Sequence, residues 1–458
     1  MRIAVVGAGI AGIGASWLLS PENSVDVYEA APRLGGHAAT VDVTVGGASF
    51  PADAGFQVFN TRTYPNLIRF FDALGIKWLE TDMSFSVQVA DENIEWSGTN
   101  LNTVFAQRAN MVNPRFLAML ADIVRFSHDA DRLLADPEID DITLDQLIER
   151  EGYSQTFADW YLIPMGDAIW STPPDMLRGY PAGTFLRFCN NHGLLHITGK
   201  PMWRSVIDGS LTYVAAAARS FSGEVFTNEP VMRVTRLEGG GVSVATGKRT
   251  LSYDAVVMAT HAPDSLSMLA DPSPLESEVL GAFGFQNNEI ALHTDASFMP
   301  RSRRAWASWN WYSETSATTK DMLTLTYWLN NLQQMPEGAL PVFETLNPHK
   351  SYAEGSTIKR MDFEHPMFTT EAVAAQKRVP EIQGAGGVWY TGAWQRYGFH
   401  EDGLLSAVRV AESLGATLPW GEELDASRTR EVEPEAEPGT VRSPARAPQP
   451  NPAPESTS

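Results

Sequence analysis

One cysteine, Cys189, stands in 458 residues. An internal disulfide is therefore excluded, and the composition suits a reducing compartment. Positive charge is scarce as well: 34 Lys and Arg face 55 Asp and Glu, a net charge of −21. Nucleic acid is not an expected partner, because its phosphates would be repelled. No run of about 18 apolar residues occurs, so no membrane-spanning helix is predicted. A Gly-x-Ser-x-Gly nucleophile elbow is absent. His192 and His196 are spaced as metal ligands on a helix, but the intervening Gly193-Leu-Leu breaks that helix, and no metal is expected. Cleavage of an export signal after Arg2 and its apolar neighbours would remove the first strand, so a cytoplasmic location is the expectation.

What is present begins at residue 2. Arg2-Ile-Ala-Val-Val runs into Gly7-Ala-Gly9-Ile-Ala11-Gly12, with a helix-forming stretch, Ile13 to Leu19, behind it. This is a strand, a tight turn and a helix. Gly7 permits the turn, Gly9 lets backbone approach a pyrophosphate, and Gly12 allows helix and strand to pack closely. The N–H groups at the helix start then face the anion. A second strand, Ser24 to Tyr28, ends in Glu29, placed to hold a ribose diol.

After Glu29 and Ala30 comes Arg33-Leu-Gly35-Gly36-His37, a glycine pair just past the second strand. Here the sequence resembles the flavoproteins that include amine oxidases, protoporphyrinogen oxidases and carotenoid desaturases. The resemblance implies FAD, with Gly35 and Gly36 continuing the pyrophosphate site. Where that family usually has Arg, this chain has His37. The family's Asp-x-Gly segment beside the flavin corresponds to Asp53-Ala-Gly55, followed by Phe56, with Gly55 approaching most closely. Its adenine contact falls at Val231, in the strand from Glu229 to Val234.

The closing motif lies near the end of the fold. Val388 to Trp394 reads as a strand entering a glycine turn at Gly392. Gly398-Phe-His400-Glu401-Asp402-Gly403 then opens a helix from Leu404 to Leu414. By resemblance this helix start points its N–H groups at flavin N1 and C2=O, with Gly392, Gly398, His400, Glu401 and Asp402 at the cofactor. Ala393 stands where the family usually places an acidic residue. More narrowly, Trp306-Ala-Ser-Trp309-Asn310, Leu346-Asn347-Pro348 and His365-Pro366 resemble a bacterial FAD-dependent subgroup associated with cyclopropane-fatty-acid synthase.

The expected fold class is α/β: a discontinuous Rossmann-like FAD-binding domain with a mixed α+β substrate domain formed by two insertions. The FAD domain takes residues 1–83, 205–265 and 385–420. A helical insertion takes 84–204, a sheet insertion 266–384, and a disordered tail 421–458, which holds seven prolines from Pro434 to Pro454. Thr40–Val45 and Ala48–Pro51 form a hairpin across Gly46-Gly47. Pro65 to Leu74 forms a helix closed by Gly75. Asn113-Pro114 and Thr143-Leu-Asp-Gln146 open two more, and Pro173-Pro174 a third. Met322–Leu329 and Ala305–Tyr312 pair as strands. Alternation puts Trp309 and Trp311 on one face and Trp306 on the other, as a cavity wall or as plain sheet packing.

No acid and base pair is evident, and no catalytic residue is assigned. The expectation is hydride transfer from a substrate carbon to flavin N5, with a lipid acyl chain desaturated or isomerised. The alternatives are oxidation of a polyamine-type amine and, from another class, a flavin-binding assembly protein without turnover. The stripe Phe116, Leu117, Leu120, Ile123 and Val124, flanked by Arg108, Arg115 and Arg125, reads as a core face or as a peripheral contact with the inner face of a membrane.

Overall fold

The computed structural model describes residues 1–195, 200–315 and 324–421. The tail beyond Gly421, His196 and the strand start at Met322 lie outside the described residues. A five-stranded parallel sheet runs in the order Val225–Phe226, Ser24–Tyr28, Arg2–Val6, Ala255–Met258, Val388–Tyr390. Its central strands are apolar and β-branched because both faces are covered, one by the first and last helices and the other largely by the antiparallel strands Val231–Arg236, Val242–Thr246 and Thr250–Tyr253. Ile3, Val5, Val25, Val27, Val256 and Val257 are fully buried. Three separate stretches of chain thus supply one sheet, and the fold is α/β with a discontinuous Rossmann-like core.

On this sheet the first helix, Ile10–Leu19, lies against the last, His400–Ser413. Small residues allow the close approach. A Cβ on Gly14 would stand 2.5 Å from Leu404 Cδ1, and one on Gly403 would stand 2.8 Å from Ile10 Cγ2. The positive ends of the two helices therefore lie side by side.

A seven-stranded sheet forms the second body, in the order Thr357–Met367, Gly284–His293, Phe343–Leu346, Thr324–Trp328, Trp309–Ser313, Phe85–Val89, Ile94–Ser97. Phe85–Val89 pairs in parallel with Trp309–Ser313. The strands Phe85–Val89 and Ile94–Ser97, inside the segment read as a helical insertion, are thereby joined to the sheet that the later residues build. Helices follow at Pro114–Leu134, Leu144–Glu151, Ile163–Trp170, Pro174–Arg178 and Ala182–Asn191. Their starts match their caps. The Asn113 side chain accepts from the N–H groups of Arg115 and Phe116, and Thr143 and Gln146 form a reciprocal capping box.

Three boundaries differ from the sequence reading. The hairpin is longer, Ala38–Val45 with Ala48–Gly55, and so reaches from the glycine pair to Gly55. The strand read from Glu229 spans Val231–Arg236. The last helix begins a turn early, at His400, because Asp402 Oδ2 accepts from the Phe399 N–H at 3.0 Å and sets the cap there. Trp306 is not in the strand with Trp309 and Trp311; it follows the short turn Arg303–Ala305 and packs on Trp328 and Phe343. Trp311 is buried, its indole donating to Asp167 Oδ2 at 2.8 Å.

Candidate functional site

The glycine turn takes the form its sequence demands. Gly7 has φ +97°, and a Cβ there would meet Ala259 O at 2.7 Å; one on Gly12 would meet Gly7 O at 1.9 Å. Gly9 is different: a Cβ there would have no heavy atom within 4 Å. The space above Gly9 is thus open. Gly36, with φ +56°, closes one side of it, its Cβ position 3.0 Å from Gly9 Cα. Gly35 donates to Ala8 O at 2.8 Å. The result is an open cradle of backbone beside a helix start, the shape a pyrophosphate needs. Ala11, on the first turn of that helix, is buried against Gly403.

Glu29 leaves the second strand and turns back over this loop. Its Oε2 accepts from the Ala8 N–H at 2.9 Å and its Oε1 from the Ala31 N–H at 2.8 Å. Asn228 and Glu229 hydrogen-bond through backbone to Ala31 and Glu29. The segment leading to Val231 therefore runs beside exposed Ala30, where a nucleoside would follow the diphosphate. Arg33, not among the expected site residues, ties the glycine pair down by donating to the carbonyls of Gly36 and Ala38, both at 2.9 Å. It is the only cation in that loop, and this could have been read from Arg-x-Gly-Gly.

The far end of the hairpin meets His37. Gly55 has φ +83°, its Cβ position 2.4 Å from His37 O, and Phe56 N–H donates to that same carbonyl at 3.0 Å. The Phe56 ring stacks on His400 at 3.7 Å. His400 Nε2 lies 3.2 Å from Tyr213 OH. Burial pushes the His400 imidazole down to about 3, so the ring is neutral.

Four histidines from four segments converge here: His37, His261, His365 and His400. Burial first, then mutual repulsion, holds His37 well below the usual imidazole range. His365 is pushed down to about 4 by burial, with repulsion from His261 adding to it. His37 and His365 lie 5.5 Å apart, deep among protein atoms yet keeping accessible surface, as cavity-lining side chains do. His37 Nε2 is enclosed and has no partner. Asn288 Nδ2 lies 3.2 Å from His365 Nδ1, the arrangement in which the amide donates. His261 Nδ1 lies 3.0 Å from Glu364 Oε2, and with Asp264 these form a group spaced to hold a metal; both carboxylates are exposed, and the group reads as a surface hydrogen-bonded cluster.

The acidic residues of the closing motif face elsewhere. Glu401 accepts from the N–H groups of Asn66 and Leu67 at 3.1 and 2.9 Å and from Asn66 Nδ2 at 2.6 Å. It caps the helix Pro65–Leu74, and burial raises it to about 8 against those three donors. Asp402 caps its own helix. Both carboxylates are thereby engaged by protein. Gly392 donates to Ser406 Oγ at 2.9 Å, and Gly398, φ +93°, packs on Phe368 and Pro366.

One carboxyl that sequence reasoning missed stands on the Gly55 loop. Glu344 is 1% exposed, takes a hydrogen bond from Gln57 Nε2 at 2.7 Å and another from the Gly55 backbone, and is raised by burial to about 8. Nothing in Phe343-Glu-Thr-Leu346 signals this, because its partners come from a strand nearly 290 positions earlier. Beyond Phe399 an aromatic group continues the site: His192 lies 3.9 Å from Phe188, 5.9 Å from Phe399 and 6.3 Å from Trp203. Tyr397 lies 5.4 Å from Phe188.

Comparison with known proteins agrees with this geometry. Carotenoid phi-ring synthase of Streptomyces griseus is 27% identical over 294 residues, 59% of this chain and 54% of that one, so the chain spans about half the length of that relative. Putrescine oxidase superposes with a TM-score of 0.65 at 14% identity, covering 90% of this chain and 99% of that one. A CLA-producing fatty acid isomerase from P. acnes gives 0.63 at 13%, covering 91% and 99%. Cyclohexylamine oxidase from Brevibacterium oxydans gives 0.64 at 15%, covering 90% and 99%. These structures share the fold.

Fold and site together define an FAD-dependent oxidoreductase. The chain belongs to the flavin containing amine oxidoreductase family, whose model matches residues 10–414. That family is a class of flavin-dependent oxidoreductase enzymes. The open cradle at Gly9 and Gly36 and the unpartnered His37 Nε2 fit the cofactor.

Proposed function

We propose that this enzyme acts on a lipid acyl chain, desaturating or isomerising it. FAD, when bound, supplies the acceptor for hydride from a substrate carbon. Gly7, Gly9, Gly12, Gly35, Gly36 and Glu29 would hold its diphosphate and ribose, and backbone near Val231 its adenine. The paired starts of the first and last helices would face its negative groups. The observation that carries the substrate reading is the character of the lining beside Phe56 and His400. It is aromatic, its histidines are neutral, and its carboxylates are either engaged as caps or raised by burial. A polyamine would require free negative charge there to offset its desolvation. An alkyl chain requires only apolar contact and exclusion of water, which Phe188, His192, Trp203, Tyr397 and Phe399 supply.

A lipid must also reach the site. Five large apolar side chains are exposed around one part of the helical segment: Leu101, Met111, Val112, Leu117 and Val124. The expected stripe is divided, with Phe116 packed inward and Leu117 and Val124 outward. Its arginines already have partners. Arg115 pairs with Glu92, Arg125 with Asp122, and Arg108 with Asn102. Contact with a membrane surface would rest on the apolar side chains more than on charge. Mass spectrometry of lipids from cells with and without the protein tests the function. Acyl chains with added or moved double bonds only in its presence support it, and identical lipids refute it.

A further inference from the structure

Arg204 stands on Trp203–Val206, the middle strand between Phe59–Asn60 and Trp78–Thr81. It is 9% exposed, and its Nε and Nη1 have no hydrogen-bond partner among the described residues. In a chain of net charge −21 this is unusual. Glu80, its neighbour across the strand, is exposed and forms no ion pair with it. Arginine keeps its charge when buried, and enclosed donors without acceptors are strongly unfavourable. Such a group calls for a partner from outside the chain.

Its surroundings indicate which one. Trp203, the preceding residue, turns to the opposite face of the strand, toward the aromatic group at His192. Phe59, its partner across the strand, lies 6.4 Å from Phe56, which stacks on His400. Two more cations gather nearby. A Cβ on Gly193 would lie 3.4 Å from both Arg62 Nη1 and Lys200 Cα; Arg62 follows Asn60, and Lys200 precedes Arg204 by four positions.

We propose that Arg204 receives a carboxylate or phosphate group of the substrate. The planar guanidinium matches either group with two parallel hydrogen bonds. The anionic head is held at Arg204 while the hydrocarbon runs past Phe59 toward Phe56. This assignment deepens the acyl-lipid reading and rests on it.

The test uses the FAD-loaded enzyme and the shift of its flavin absorbance on titration with oleate, oleoyl lysophosphatidate and methyl oleate. Oleate or the lysophosphatidate should bind at least about tenfold tighter than the ester, as a charge-assisted pair implies. Which of the two is preferred identifies the head as carboxylate or phosphate. Arg204→Gln should abolish the preference while leaving ester binding and FAD content unchanged. An intact preference in the variant overturns the proposal, and so does loss of FAD, which would give the arginine to the cofactor. If no oleoyl compound shifts the flavin, the acyl reading fails by itself. The anion site is then read from thermal shifts with inorganic phosphate and butyrate. Stabilisation of the unaltered protein but not of Arg204→Gln upholds it, and equal or absent shifts overturn it. Should Arg204→Gln not fold, Arg204→Lys should show a weakened preference; an undiminished one overturns the proposal.

Discussion

Replacing Gly9 by alanine separates the cofactor cradle from the fold. Gly9 has φ −73° and ψ −176°, extended backbone that any residue adopts. Its Cβ position has no heavy atom within 4 Å. The apo fold should therefore tolerate the methyl and gain about 0.4–1 kcal/mol from the stiffer unfolded chain. The cofactor should not tolerate it. A phosphate oxygen held by backbone N–H groups sits about 2.9 Å from nitrogen, and a methyl on the same residue pushes it outward. Losing one or two charge-assisted hydrogen bonds at about 1.5–3 kcal/mol each weakens FAD by roughly 10-fold to 20,000-fold. Gly7→Ala is the opposite case: with φ +97° and Ala259 O at 2.7 Å, it should destabilise the apo protein itself. Thermal denaturation of the apo form and titration of FAD fluorescence measure the two effects. Gly9→Ala binding FAD like the unaltered protein would refute the placement of the diphosphate.

Three further outcomes follow from the geometry. Glu344 is raised from 4.5 to about 8 when folded, so the folded state holds a proton that the unfolded chain releases. That stability is full below about 4.5 and is lost as pH rises through 8. The melting temperature of Glu344→Gln relative to the unaltered protein should rise from pH 5 to 8, by up to about 1.4 kcal/mol of stability per pH unit. A constant difference would show the carboxyl to be ionised in the fold. Gly403→Ala places a methyl 2.8 Å from Ile10 Cγ2, parting the two helix starts. The flavin midpoint potential should fall by the equivalent of about 0.3–1 kcal/mol, and an unchanged potential with FAD bound counts against a flavin at that end. Val112, 82% exposed, should support sedimentation with anionic vesicles at low salt, and Val112→Asp should reduce it several-fold. Unaltered protein remaining in the supernatant would exclude the membrane contact.

Local elements were legible because local chemistry decides them. Asn113-Pro114, Thr143 with Gln146, and Gly75 at φ +68° each set a helix end within a few residues. The glycine turn and Glu29 were legible for the same reason, since one strand–turn–helix unit contains them. The site beyond the glycines was less so. His261 and His365 reach His37 only through two different sheets, and Glu344 reaches Gly55 by pairing across the fold. Glu401, read as a cofactor residue by its place in a motif, turns its carboxylate onto Asn66 and Leu67, which no spacing discloses. The tryptophan wall was read from alternation, yet the aromatic side chains beside His400 come from several separate helices, a strand and loops, which no single period connects.

The acyl-chain reading is tested most directly by incubating the FAD-loaded enzyme without oxygen, separately with an acyl lipid and with putrescine. Flavin absorbance is followed together with the mass spectrum of the products. The account predicts a new or displaced double bond in the lipid, and a flavin that putrescine leaves oxidised. Bleaching by putrescine with the lipid recovered unchanged would contradict it.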